Sequence, residues 1–309
     1  MKMNVRLSGL IVAIFAGLIL PGTLQAEARV ERNIVYGMYS GLALLMDIHY
    51  PEQPNGYGIV FIPGSGWTAP LSPDATPLKQ GVERPHLGGP ALLDAGYTLF
   101  SINHRAAPRF LYPAPVEDAQ RAVRYVRHNA ADYGIDPERI GATGGSSGGH
   151  LASMVGVLDG DGSADASSPV DRESSKVQTV AVLFPPTDFI EIVRGGGQGA
   201  PLLGPRLNNR ELRNETDSAE ARLFREASPT TYVSSDDPPF LLIHGDQDPV
   251  VPLAQSEVLE AALKAKGVPV ELIRMPGGGH GGSVSAGPNA PDYFAPMVDW
   301  FDRYLREKQ

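Results

Sequence analysis

Ile140-Gly-Ala-Thr-Gly144-Gly145-Ser146-Ser147-Gly148-Gly149-His150 is the stretch on which the reading turns. An apolar run, 140–143, leads directly into two serines flanked by glycines, and a helical pattern follows. Gly-x-Ser-x-Gly between a strand and a helix is the context in which a serine hydroxyl is lifted clear of a sheet on a sharp turn. Glycines two residues before and after the serine leave room for the neighbouring backbones that so strained a turn requires. The N–H of the next residue lies at a helix N-terminus, where a developing oxyanion is stabilised. Two frames satisfy the pattern, one centred on Ser146 and the other on Ser147.

Outward from this turn, short apolar runs alternate with helical patterns. Residues 30–38, 43–50, 58–62, 97–102, 140–143, 177–184, 240–244 and 270–275 read as eight strands. Helices are expected over 117–133, with Ala119, Ala122, Val123, Val126 and Ala130 on one face, and over 253–266 and 291–306. Gly134 and Gly267 follow the first two as stop signals. Such alternation gives a mostly parallel sheet covered by helices on both faces. Residues 68–90 and 186–232 break the rhythm and read as loop-rich cap insertions over a pocket, since loops of that length in a compact domain usually carry function. Residues 159–175 are polar, with Asp159, Asp161 and Asp165 at alternating spacing. They lack the bidentate Glu of an EF-hand and read as a solvated loop rather than a calcium site.

The 309 residues are 42% hydrophobic and 20% charged, which excludes a disordered chain. A formal net charge of −9 offers no basic excess to neutralise phosphates, so nucleic acid is not an expected partner. With no cysteine there is no disulfide, no thiolate metal site and no cysteine nucleophile. The N-terminus carries Lys2 and Arg6, then an unbroken apolar run from Leu10 to Leu20, then Pro21-Gly22 and Ala26. That order reads as a secretory signal peptide over 1–26, its apolar part too short to span a bilayer comfortably, with an uncleaved anchor as the alternative. The expectation is a secreted or periplasmic chain whose domain covers 27–309, without stable membrane insertion once the signal is removed.

The elbow resembles that of the α/β-hydrolase esterases in the hormone-sensitive-lipase and bacterial feruloyl-esterase-like group, Gly-x-Ser-Ala-Gly-Gly-His-Leu-Ala. Asn103-His104-Arg105-Ala-Ala-Pro108, Pro113-Ala-Pro-Val-Glu-Asp118 and Tyr133-Gly-Ile-Asp-Pro-Glu-Arg-Ile140 are similar to further segments of that group. The resemblance implies an α/β-hydrolase fold and sets Ser147 on the alanine position, leaving Ser146 as nucleophile. It implies His280, in the glycine-rich loop after the last strand, as the base. Asp248 is implied as the acid, from a likeness of 244–252 to His-Gly-x-x-Asp-x-x-Val-Pro, with Asp246 left as a turn former. Serine, acid and histidine then follow in the chain order of these hydrolases.

The same resemblance places oxyanion donors on the loop after the third strand, here Pro63-Gly64-Ser65-Gly66-Trp67. By position these are the amides of Ser65 and Gly66, joined by that of Ser147. Pro63 stands where the group has histidine; it has no N–H, so the loop's internal hydrogen bonds must differ. Trp67 and His86 are candidates for the substrate pocket, with His104 a weaker one. Arg84, Arg206 and Arg210 are open to a carboxylate or sugar role, or to plain surface solubility. No metal spacing is present and the mechanism calls for no cofactor. The expected activity is hydrolysis of short-chain esters or acylated sugars and plant polysaccharides, of acetyl or feruloyl type. The alternatives are a serine peptidase of the prolyl-oligopeptidase type and a catalytically weak binding protein on the same scaffold.

Overall fold

Eight strands form where the short apolar runs lie: β1 (Val30–Tyr39), β2 (Leu42–His49), β3 (Gly58–Ile62), β4 (Thr98–Ile102), β5 (Ile140–Gly145), β6 (Thr179–Leu183), β7 (Phe240–Gly245) and β8 (Val270–Met275). The computed structural model describes residues 29–69, 76–195, 200–204, 218–287 and 289–307. The expected leader over 1–26, residues 196–199 of the glycine-rich run, Arg206 and Arg210 lie outside the described residues.

The strands make one sheet in the order β1-β2-β4-β3-β5-β6-β7-β8, with β2 antiparallel to both β1 and β4 and every pair from β4–β3 onward parallel. This is the α/β-hydrolase fold. The central strands β3 to β7 are buried along their whole length, as a parallel sheet covered on both faces requires. Their side chains divide by the two-residue period. Val60, Ile62, Ala142, Val180, Val182 and Leu242 join one core, and Ile59, Phe61, Ala181, Leu183, Leu241 and Ile243 the other.

Helices α1 (Gly89–Asp94), α2 (Ala114–His128), α3 (Ser147–Val157), α4 (Phe189–Arg194), α5 (Ala219–Glu226), α6 (Ala254–Ala265) and α7 (Phe294–Phe301) cover these faces. Helix α2 departs from the expected 117–133 at both ends. It starts at Ala114 because Pro115 is tolerated in a first turn, where its missing N–H has no partner to lose. It stops at His128, where the Asn129 side chain donates to the Tyr125 carbonyl at 2.8 Å and competes for the helical acceptor. The last helix begins at Phe294, whose N–H is capped by Asp292 Oδ1, and widens into a π-type turn over Asp302–Arg306. Among the described residues no helix is long and apolar enough to cross a membrane.

Candidate active site

The C-terminal ends of β3, β5, β7 and β8 deliver the chemistry-bearing loops to one rim of the sheet. Ser146 follows β5 with φ 55° and ψ −126°, a conformation a non-glycine residue adopts only under constraint, at a cost of about 1–3 kcal/mol. The constraint is visible in its glycines. A Cβ on Gly148 would lie 1.9 Å from the Ile62 carbonyl oxygen, and one on Gly144 would lie 2.5 Å from that same oxygen. Backbone crowds the turn on both sides, and only hydrogen fits there.

Loops after β7 and β8 bring two further groups to this serine. His280 Nε2 lies 2.9 Å from Ser146 Oγ, and His280 Nδ1 lies 2.7 Å from Asp248 Oδ2. Ser147, the rival in the other frame, is fully buried with its hydroxyl turned to the loop after β3. Burial alone would raise the Asp248 carboxyl. Hydrogen bonds from His244, His280 and the Val251 and Val250 amides outweigh that and hold it well below the usual carboxylate range. Its second oxygen takes those two amides at 2.8 and 2.9 Å, so the carboxylate is fixed as an anion pointing at the imidazole. His244 itself is fully buried, bonded to Ser256 Oγ and the Val251 carbonyl, and braces this loop. Asp246 accepts the Gly277 N–H at 2.7 Å, the turn-forming role expected of it.

The loop after β3 differs from expectation in two respects. The Ser65 N–H, expected to face an oxyanion, donates instead to Ser147 Oγ at 2.8 Å. A hydroxyl at the elbow's second serine supplies an acceptor that an alanine there would lack, and it takes the amide. Gly64 lies closer to the nucleophile: a Cβ on it would sit 3.1 Å from Ser146 Cβ and 2.4 Å from the Gly145 carbonyl oxygen. Sequence reasoning passed over Gly64, although a glycine directly after Pro63 was the available signal. Pro63 is buried against Gly81, where a Cβ would lie 2.4 Å from the proline's own.

Trp67 does not line the pocket. Its positive φ of 55° turns the indole inward, where it is buried against Phe189 and donates Nε1–H to His150 Nδ1 at 3.0 Å. His104 is likewise buried, its Nδ1 bonded to the Arg105 carbonyl. His86 does line a cavity of 240 Å³ over the serine, together with Gly64, Ser65, Gly66, Arg84, Leu87, Phe184 and Gly281. Its pKa is lowered by burial, then by the charges of Arg84 and His280. Phe184, unmarked in the sequence reading, holds φ 41° and sets its ring 4.6 Å from that of His280. Arg84, His86 and Leu87, from the 68–90 stretch, contribute to the cavity. The described residues of 186–232 do not; Phe189 and Phe224 pack into the core instead.

Comparison with known proteins finds similarity to several described as esterases. The BD-FAE family model matches residues 46–263. Esterase LipQ of Mycobacterium tuberculosis is 31% identical over 86% of this chain, which spans 61% of LipQ's own length. A truncated carbohydrate esterase from gut microbiota superimposes with TM-score 0.72 at 29% identity, covering 92% of this chain and 99% of that one. An acetyl ester-xyloside bifunctional hydrolase from Caldicellulosiruptor lactoaceticus gives TM-score 0.69 at 28% identity, covering 88% of this chain and 95% of that one.

Proposed function

The chain belongs to the BD-FAE family, and from that premise we propose that it is a serine carboxylic-ester hydrolase working through an acyl-enzyme. The observation that carries this reading is the pair of contacts at His280: Asp248 Oδ2 at 2.7 Å on one ring nitrogen and Ser146 Oγ at 2.9 Å on the other. With the carboxylate ionised, Nδ1 carries the proton and donates to it. Nε2 then presents a lone pair to the serine O–H. His280 takes that proton as Ser146 attacks the ester carbonyl, Asp248 stabilises the imidazolium, and the leaving alcohol receives the proton. Water repeats the sequence to release the acid.

The proposed oxyanion donors are the backbone N–H groups of Gly64, Gly66 and Ser147, none bonded to another described residue. Removing one such donor typically costs about 2.7–4 kcal/mol of transition-state stabilisation. The cavity supports small acyl groups: its 240 Å³ falls below the roughly 300–1,000 Å³ of pockets for drug-sized ligands. The likeness to a carbohydrate esterase and to an acetyl ester-xyloside bifunctional hydrolase supports acylated carbohydrates as the substrate class. The Lys2 and Arg6 charges and the apolar run behind them support export of the chain.

A fluorophosphonate probe followed by intact mass tests the reading. One adduct is expected on the unaltered protein and on Ser147→Ala, and none on Ser146→Ala. An adduct surviving Ser146→Ala, or no adduct at all, would sink it.

A further inference from the structure

We infer that Arg84 makes this site selective for esters that carry a carboxylate near the scissile bond, an inference resting on the esterase reading above. Arg84 lines the cavity over Ser146, and its Nη1 donates to the Gly64 carbonyl at 3.3 Å. That carbonyl belongs to the loop packed against the nucleophile, so the bond holds the guanidinium at the mouth of the site rather than leaving it to roam. One carbonyl contact uses one of five guanidinium N–H groups, and the fork that binds carboxylates bidentately stays open.

The surroundings supply no competing anion. Among the described residues no carboxylate lies within 4.0 Å of Arg84, whereas Arg105, Arg121, Lys79 and Arg274 each have one. No Asp or Glu lines the cavity, and His86 beside it is held towards neutrality. The Ser65 hydroxyl in the same lining is shielded from solvent without a hydrogen-bond partner among the described residues. In a chain of net charge −9, a cation without an anionic partner among the described residues, set at the mouth of the cleft that holds Ser146, is a recognition feature. A carboxylate on the substrate completes the fork, and a neutral ester of the same size does not.

The carboxylate sits on the acyl or the alcohol side, and two matched pairs separate these. 4-Nitrophenyl hemisuccinate against 4-nitrophenyl butyrate reads the acyl side; 4-acetoxybenzoate against phenyl acetate reads the alcohol side. In at least one pair the charged ester is expected to have the higher kcat/KM relative to the same ratio in Arg84→Gln. The change in ratio should be about tenfold, that of one charge-assisted hydrogen bond, and should shrink with added salt. Arg84→Lys, which keeps the charge without the fork, should fall between. Turnover of the neutral esters with both ratios unmoved by Arg84→Gln overturns this inference and leaves the esterase reading standing. No turnover of any of the four esters by the unaltered protein overturns both.

Discussion

His150 is a buried acid-sensitive fastening, and replacing it by glutamine should flatten the protein's loss of stability in acid. The imidazole is fully buried one turn into the elbow helix. Trp67 Nε1–H donates to Nδ1 at 3.0 Å, so Nε2 carries the proton and donates to the Ala227 carbonyl at 2.8 Å. Both nitrogens are satisfied only in the neutral ring. Burial chiefly, with a smaller push from His104 and against the pull of the Ala227 bond, lowers its pKa from 6.5 to about 4. The unfolded chain binds this proton below about 6.5 while the folded one refuses it until about 4, so stability is whole above that window and falls as pH descends through it. Between pH 7.5 and 4.5 the two values give a loss of about 2.5 kcal/mol from this residue. The assay is urea unfolding at several pH values, followed by tryptophan fluorescence, on the unaltered protein and His150→Gln. The variant starts less stable at pH 7.5, by about 1–3 kcal/mol for imperfectly replaced buried hydrogen bonds, and the difference narrows towards pH 4.5. The other histidines are common to both proteins and cancel. Two curves running parallel from pH 7.5 to 4.5 would refute the reasoning.

Other perturbations have equally definite outcomes. Lys79 is buried with its ammonium against fully buried Asp47, which also accepts from Asn33 N–H at 2.8 Å. Lys79→Met should cost about 3–5 kcal/mol in urea unfolding, and adding Asp47→Asn should recover part of it. Gly148→Ala forces a Cβ to within 1.9 Å of the Ile62 carbonyl oxygen, so the loss should exceed the roughly 1–3 kcal/mol of ordinary overpacking, read as a lower melting temperature or no soluble protein. Trp67→Phe removes the donor that blocks Nδ1 of His150. It should destabilise by about 1–3 kcal/mol at pH 7.5 and move the acid transition of the His150 ring upward, measured by NMR titration.

The central strands β3 to β7 were legible because a strand buried on both faces must be an apolar run, and the edge strands β1, β2 and β8 because the segments between them are rich in glycine and proline. Ser146, Asp248 and His280 were singled out through the family resemblance of their segments; each follows a parallel strand, and parallel strands end on the same rim, which is why the three can meet. What escaped was side-chain direction in loops. Trp67 and Phe184 both hold positive φ, which the residue type does not announce, and this turned one aromatic into the core and the other onto the cavity. The Ser65 amide was misassigned because its partner, the Ser147 hydroxyl, is 82 positions away. Helix ends moved where a side chain, such as that of Asn129, intercepted a carbonyl.

The strand that carries the nucleophile is propped from beneath by the far end of the chain. Phe301 and Leu305 press against Gly141, Arg139 grips the Leu305 carbonyl at 3.0 Å, and Trp300 bonds to Thr179 Oγ1 at 2.8 Å. During synthesis, the ribosome therefore makes Ser146 long before it makes either His280 or the residues that seat its strand. Ser146 cannot meet its base before residue 280 has been made, and a nascent chain stalled short of that residue would hold the serine with neither its base nor its foundation.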